Sequence, residues 1–134
     1  MARILDIEGI GNKYAKKLHE LGVHSTFRLL EIGATKQGRE DLAEHTGISE
    51  KLILEWVNLA DLMRIKGIAE EYSDLLEEAG VDTVKELRKR VPENLYNTMI
   101  KTNQEKKLVR RLPTRDQVES WIEQAKTLPP KITH

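Results

Sequence analysis

Seven residues near the start of the chain have the types and spacing to hold an anion: Gly9, Ile10, Gly11, Asn12, Lys13, Lys16 and Lys17. Glycine reaches positive φ without a Cβ penalty, so a Gly-Ile-Gly turn can aim consecutive amides outward as a nest for a phosphate. A helix opening at about Asn12 adds its positive dipole end and its unpaired N–H groups. The three lysines would surround the ion with positive charge, while Ile7 and Ile10 anchor the turn to the core. Recognition of this kind reads the charge of a phosphate and not the base it carries. The same turn also serves to join two helices at close approach with nothing bound, the lysines then being a solvated face.

The pattern occurs twice. Ile7, Gly9, Ile10, Tyr14, Leu18, Gly22, Val23 and Leu29 are matched 58 positions later by Ile65, Gly67, Ile68, Tyr72, Leu76, Gly80, Val81 and Leu87. A second block repeats with an offset of 65, pairing Ile53, Trp56, Val57, Ala60 and Met63 with Val118, Trp121, Ile122, Ala125 and Leu128. Two matched blocks in one order point to a duplicated supersecondary unit. The copies differ at the helix start, where Gly11 and three lysines are answered by Ala69, Glu70, Glu71 and Asp74. Carboxylates there repel a phosphate and stabilise the helix through its dipole. The second turn therefore reads as structural, or as suited to a basic partner.

The elements that position these turns are helical. Tyr14, Leu18 and Leu21 fall at i, i+4 and i+7, as do Tyr72, Leu76 and Ala79, and no convincing strand is present. The spacing predicts helices opened by Ser25-Thr26 and Asp82-Thr83, one over Lys36 to His45 stopped at Gly47, and a long one capped by Ser49 through Met63. Pro92 starts a helix to about Ile100, Asn103 caps another ending before Pro113, and Thr114 with Gln117 boxes the last. The expected organisation is one tandem-repeat domain over 1–134, with repeats 7–63 and 65–128 and a frayed tail 129–134. Only six residues precede Ile7, too few for a packed helix before the first turn. The helix around Trp121 is therefore expected to fold back on the Gly9 turn, closing two halves about a pseudo-two-fold axis, or to be exchanged between chains in a dimer. Trp56 and Trp121 read as core residues.

A second basic group, Lys106, Lys107, Arg110 and Arg111, forms two i, i+4 like-charge pairs if the segment is helical, which calls for a counter-anion. That anion is either a phosphate backbone or the acidic stretch of the same chain. Residues 70–82 carry a net charge of −6 and residues 85–115 a net of +7.

Over the whole chain 22 basic residues balance 22 acidic ones, which argues against a surface that grips nucleic acid all round. Cysteine is absent, excluding disulfides and thiolate metal sites. The four histidines have no ligand spacing, and no nucleophile elbow or phosphate-loop lysine signature occurs. No catalytic residue, metal or cofactor is expected. Without a leader-like segment or a membrane-length apolar run, the expected location is the cytoplasm.

Nearly the whole chain resembles the prokaryotic domain-of-unknown-function 4332 family, noted for helix-hairpin-helix-like halves; Ile7-Glu8-Gly9-Ile10-Gly11, Gly47-Ile48-Ser49-Glu50-Lys51-Leu52-Ile53-Leu54, Trp56-Val57-Asn58, Arg64-Ile65-Lys66-Gly67-Ile68, Glu71-Tyr72-Ser73 and Glu105-Lys106-Lys107-Leu108-Val109 carry the likeness. It implies an all-α, SAM-like helix-hairpin-helix domain and no established activity. More distantly, the hairpins resemble those of DNA repair and recombination proteins that bind duplex backbone without sequence preference, and this carries over to Gly9, Ile10, Gly11 and Lys13. Two functions follow as expectations. One is a non-catalytic module contacting DNA or RNA backbone through the first hairpin. The other is a protein-interaction or self-assembly domain, with a protein partner or a homodimer and no nucleic-acid affinity.

Overall fold

Apolar residues at helical spacing, punctuated by Ser, Thr, Gly and Pro, fold into helices throughout. The computed structural model describes residues 2–7 and 9–134. Glu8, one position of the Ile7–Gly11 motif, lies outside the described residues, as does Met1. The described residues form an all-α protein of eight helices: α1 (Asn12–Glu20), α2 (Thr26–Gly33), α3 (Lys36–Thr46), α4 (Glu50–Leu62), α5 (Glu70–Glu78), α6 (Val84–Leu87), α7 (Pro92–Lys106) and α8 (Arg115–Thr127). Two compact units divide the chain, one of Met1–Asp61 with Lys131–His134 and one of Leu62–Pro130.

In the first unit a 3-10 turn, Ile4–Asp6, leads into the Gly9 turn and α1. Ser25 and Thr35 cap α2 and α3 by accepting from the Arg28 and Gly38 amides at 3.1 and 3.0 Å. Gly47, at φ +75°, ends α3, and Ser49 accepts from the Leu52 amide at 3.2 Å to start α4. Each cap satisfies an amide that the helix itself leaves orphaned, at about 1 kcal/mol apiece. Trp56 of α4 is 2% exposed and packs against Tyr14 of α1, ring centres 5.3 Å apart.

The second unit has the same order of parts. α5 lies 58 residues after α1 at both ends, and α8 lies 65 after α4 at both ends. Trp121 of α8, also 2% exposed, meets Tyr72 of α5 at 5.2 Å between ring centres. Ile65, Ile68, Leu76 and Val81 are buried, as are Ile7, Ile10, Leu18 and Val23 in the first unit. Thr114 and Gln117 make a complete capping box for α8, with bonds of 3.1 and 2.8 Å. Thr83 accepts from the Glu86 amide at 3.2 Å and opens α6.

Three expectations are corrected. First, the Gly9 turn is closed by Trp56 of its own unit, and Trp121 closes the Gly67 turn. A Cβ built on Gly9 would lie 3.4 Å from Trp56 Nε1, and one on Gly67 would lie 3.0 Å from Trp121 Nε1. The helix that completes each turn follows it in the chain. Second, residues 107–114 are not helical. α7 runs on through Asn103 to Lys106 and stops at Lys107, at φ 51°. Asn103 caps nothing, because its side chain accepts from the Val109 amide at 2.9 Å and donates to the Val109 carbonyl at 3.2 Å, pinning the chain after α7. Third, the tail is not frayed. Thr133 donates its amide to the Ala34 carbonyl at 2.8 Å and accepts from Arg39 Nη2 at 2.6 Å.

Candidate nucleic-acid interface

The first turn is built from a buried anchor and an exposed rim. Ile7 and Ile10 are 1% and 4% exposed, and the Ile10 amide donates to the Ile7 carbonyl at 3.2 Å. Between them Gly9 takes φ +92°, a backbone conformation where an L side chain is strained. Gly11 differs from the expectation for a paired-glycine nest. It is the N-cap of α1, at φ −86° and ψ −178°, ordinary extended backbone, and a Cβ on it would meet nothing within 4 Å. Its contribution is open space in front of the α1 N-terminus.

Asn12 and Lys13 occupy the first turn of α1, and both are exposed. Lys16 is exposed one turn on, beside Asn12, in a cleft shared with Leu5 and His19. Lys17 belongs to the last turn, where a cation complements the negative end of the dipole. The structure thus brings Gly9, Gly11, Asn12 and Lys13 together at one helix end. It leaves Lys17 at the other, a separation set by the 1.5 Å rise per residue.

What distinguishes α1 from the other seven helices is what its N-terminus lacks. No side chain caps it and no acidic residue stands in its first turn. α2 and α3 also lack an acid there, but Ser25 and Thr35 cap them. α5 is uncapped but carries Glu70 and Glu71. A lysine at the positive end of a dipole is mildly unfavourable, roughly 0.3–1 kcal/mol, unless an anion is present to offset it.

At the second turn Gly67 has φ +99°, and Ala69 takes the N-cap place with extended φ −117°. Here the backbone is clamped from within. Gln124 of α8 accepts from the Lys66 amide at 2.9 Å and donates to the Lys66 carbonyl at 3.2 Å. Leu59 holds the place 65 residues earlier, matched to Gln124, so no amide is available there for such a clamp.

The second basic group is dispersed. Lys106 pairs with Glu78 of α5, and the hydrogen bond and charge of Glu78 raise its pKa above the usual lysine value. Lys107 is the left-handed residue ending α7, while Arg110 and Arg111 lie exposed on the non-helical stretch. The Arg111 carbonyl accepts from the Tyr72 hydroxyl at 3.0 Å. Acidic and basic residues also meet at Glu86–Arg90 and Glu93–Arg115, so part of the basic block is neutralised within its own unit.

Sequence reasoning passed over Arg39, 5% exposed on the inward stripe of α3 with Leu42 and Thr46. An arginine in register with that stripe was the available signal. Among the described residues no three His, Cys, Asp or Glu side chains could hold a metal ion, and no helix is long and apolar enough to cross a membrane.

Fold and turns together define an all-helical protein in which positive-φ glycines precede tyrosine-bearing helices. The chain belongs to the family described as a domain of unknown function (DUF4332), whose model matches residues 8–128. No curated protein and no solved structure matches it.

Proposed function

We propose that the chain is a tandem of two helix-hairpin-helix-like units forming a non-catalytic cytoplasmic binding module. Its first hairpin contacts the phosphate backbone of DNA or RNA without sequence preference. The observation carrying this reading is the N-terminus of α1, which alone among the described helices has neither a side-chain cap nor an acidic residue in its first turn. A phosphate oxygen would accept from the free amides there, with Asn12 and Lys13 beside it and Lys16 one turn away. Lys13 and Lys16 have no ion pair among the described residues, so their charge is available. With so few contacts, binding should be weak, on the order of 10⁻⁴–10⁻⁶ M, and should fall steeply with salt.

Titrating duplex and single-stranded DNA at two salt concentrations tests it. Wild type should bind with a clear salt dependence, and Lys13→Glu/Lys16→Glu/Lys17→Glu should lose that binding. Identical curves for the two proteins would remove this hairpin from consideration.

The competing reading is a protein-interaction or self-assembly domain, favoured by Phe27, 59% exposed in the first turn of α2. Sedimentation over a concentration series separates the two. Self-association that Phe27→Ser abolishes, in a protein without nucleic-acid affinity, would favour assembly.

A further inference from the structure

We infer that the first unit carries a second anion site, a cleft between α3, α4 and the C-terminal tail, built to take a phosphate group. The cleft has a volume of about 340 Å³ and is lined by Lys36, Arg39, Glu50, Lys51, Leu54 and His134. That is at the small end for ligand pockets, with room for a phosphate group and part of the molecule that carries it. Lys36, Arg39 and Lys51 outnumber the carboxylates that line the cleft, so it keeps a positive surplus for an anion.

Arg39 is the centre of the site. Its side chain donates to the Gly33, Ala34 and Thr133 carbonyls at 2.8, 3.2 and 2.6 Å. A guanidinium has five N–H donors, so two remain, with no acceptor among the described residues. All three partners are neutral carbonyls, and the cation is nine-tenths buried without a paired carboxylate. Burial accordingly holds Arg39 below the usual guanidinium range, despite the opposing pull of Glu50 and Glu40. The carbonyl clamp accounts for the arginine as a fastener of the tail. It does not account for Lys36 and Lys51, which line the same cleft with no ion pair among the described residues. Two exposed lysines on the rim of a cleft that holds a buried arginine favour an anion there. A phosphate oxygen would accept from the two spare guanidinium N–H groups, with the ammonium groups on either side, an arrangement in which charge-assisted bonds are strongest.

The phosphate group could belong to a small phosphate ester or to the terminal phosphate of a nucleic-acid strand, and the test has an arm for each. Inorganic phosphate is titrated into the full chain at constant ionic strength set with chloride, by calorimetry and by thermal shift. Wild type should bind and melt at a higher temperature. Lys36→Ala/Lys51→Ala removes two exposed side chains and should keep its circular-dichroism spectrum while losing at least about tenfold in phosphate affinity. Lys13→Glu/Lys16→Glu/Lys17→Glu should bind phosphate in the cleft as wild type does, which separates this site from the hairpin. Oligonucleotides with and without a 5′-phosphate then assign the source: a preference for the phosphorylated strand that Lys36→Ala/Lys51→Ala abolishes means a strand end, and no preference means a small ester. Equal phosphate affinity in wild type and Lys36→Ala/Lys51→Ala, or a thermal shift that chloride alone reproduces, overturns the inference.

Discussion

The Gly9 and Gly67 turns share a backbone and a closing tryptophan, yet present opposite chemistry to solvent. Both glycines have positive φ, +92° and +99°, and both tyrosine–tryptophan pairs meet in a tilted arrangement with ring centres within 5.3 Å. Around that common frame the first helix start is open and basic, while the second is acidic and has its turn clamped by Gln124. The residues that hold the turn and those that decide what approaches it are different sets. Fold and ligand chemistry can therefore vary independently, and mutation can separate them.

Removing either tryptophan is the largest perturbation. Each is 2% exposed, and an indole of about 150–250 Å² contributes at most roughly 4–6 kcal/mol by burial. Trp56→Ala and Trp121→Ala should each cost about 3–5 kcal/mol in urea unfolding, and by similar amounts. A loss below about 1 kcal/mol at one of them would break the equivalence of the two turns.

The tail distinguishes the units next. Ending the chain after Pro130 deprives Arg39 of the Thr133 carbonyl and Ala34 of the Thr133 amide, bonds of 2.6 and 2.8 Å. The expected cost is about 1–3 kcal/mol, the range for a buried charged donor that loses an acceptor. It should be read as faster hydrogen exchange in α3, with α7 unchanged. Equal deprotection of both helices would contradict the division into units.

Between the two glycines the difference is finer. Alanine at either place is strained by positive φ at roughly 1–2 kcal/mol. The new Cβ would lie 3.0 Å from Trp121 Nε1 at Gly67, but 3.4 Å from Trp56 Nε1 at Gly9. Gly67→Ala should therefore be the more destabilising of the two in denaturant melts, and the reverse order would mean that Trp121 yields more easily than its burial suggests.

How much of this could be read beforehand follows from which signals are local. The offsets of 58 and 65 coincide with the bounds of α1 and α5 and of α4 and α8, because apolar period, Ser/Thr caps and glycine stops act within a few residues. Which tryptophan closes which turn was not readable, since Trp56 and Trp121 sit in the same apolar pattern and either fits either turn. Asn103 misled for a related reason: an asparagine amide can cap a helix or, as here, bind the backbone of Val109 six residues on. Of the candidate site, Asn12 and Lys13 were legible from the turn before them. The extended backbone of Gly11 was not, because glycine is compatible with almost any φ. Arg39 was missed because a buried guanidinium depends on carbonyls from α2 and from the tail, 94 residues away.

The smallest change sharpens the comparison most. Gly11 sits at φ −86° and ψ −178° with nothing within 4 Å of a built Cβ, so serine fits without strain. Its hydroxyl can accept from the Lys13 or Tyr14 amide, which gains a few tenths of a kcal/mol over glycine, and the loss of unfolded-state freedom adds about 0.4–1 kcal/mol. Gly11→Ser should thus raise stability by up to about 1 kcal/mol while weakening duplex binding, because the new cap occupies a donor that a phosphate would use. Ala69→Ser, at the matched N-cap of α5, should stabilise by a similar amount, about 1 kcal/mol, and leave binding untouched. Chemical denaturation and a DNA titration on the two variants measure both quantities. If Gly11→Ser gained stability and bound as tightly as wild type, the open amides of α1 would not be where the backbone docks.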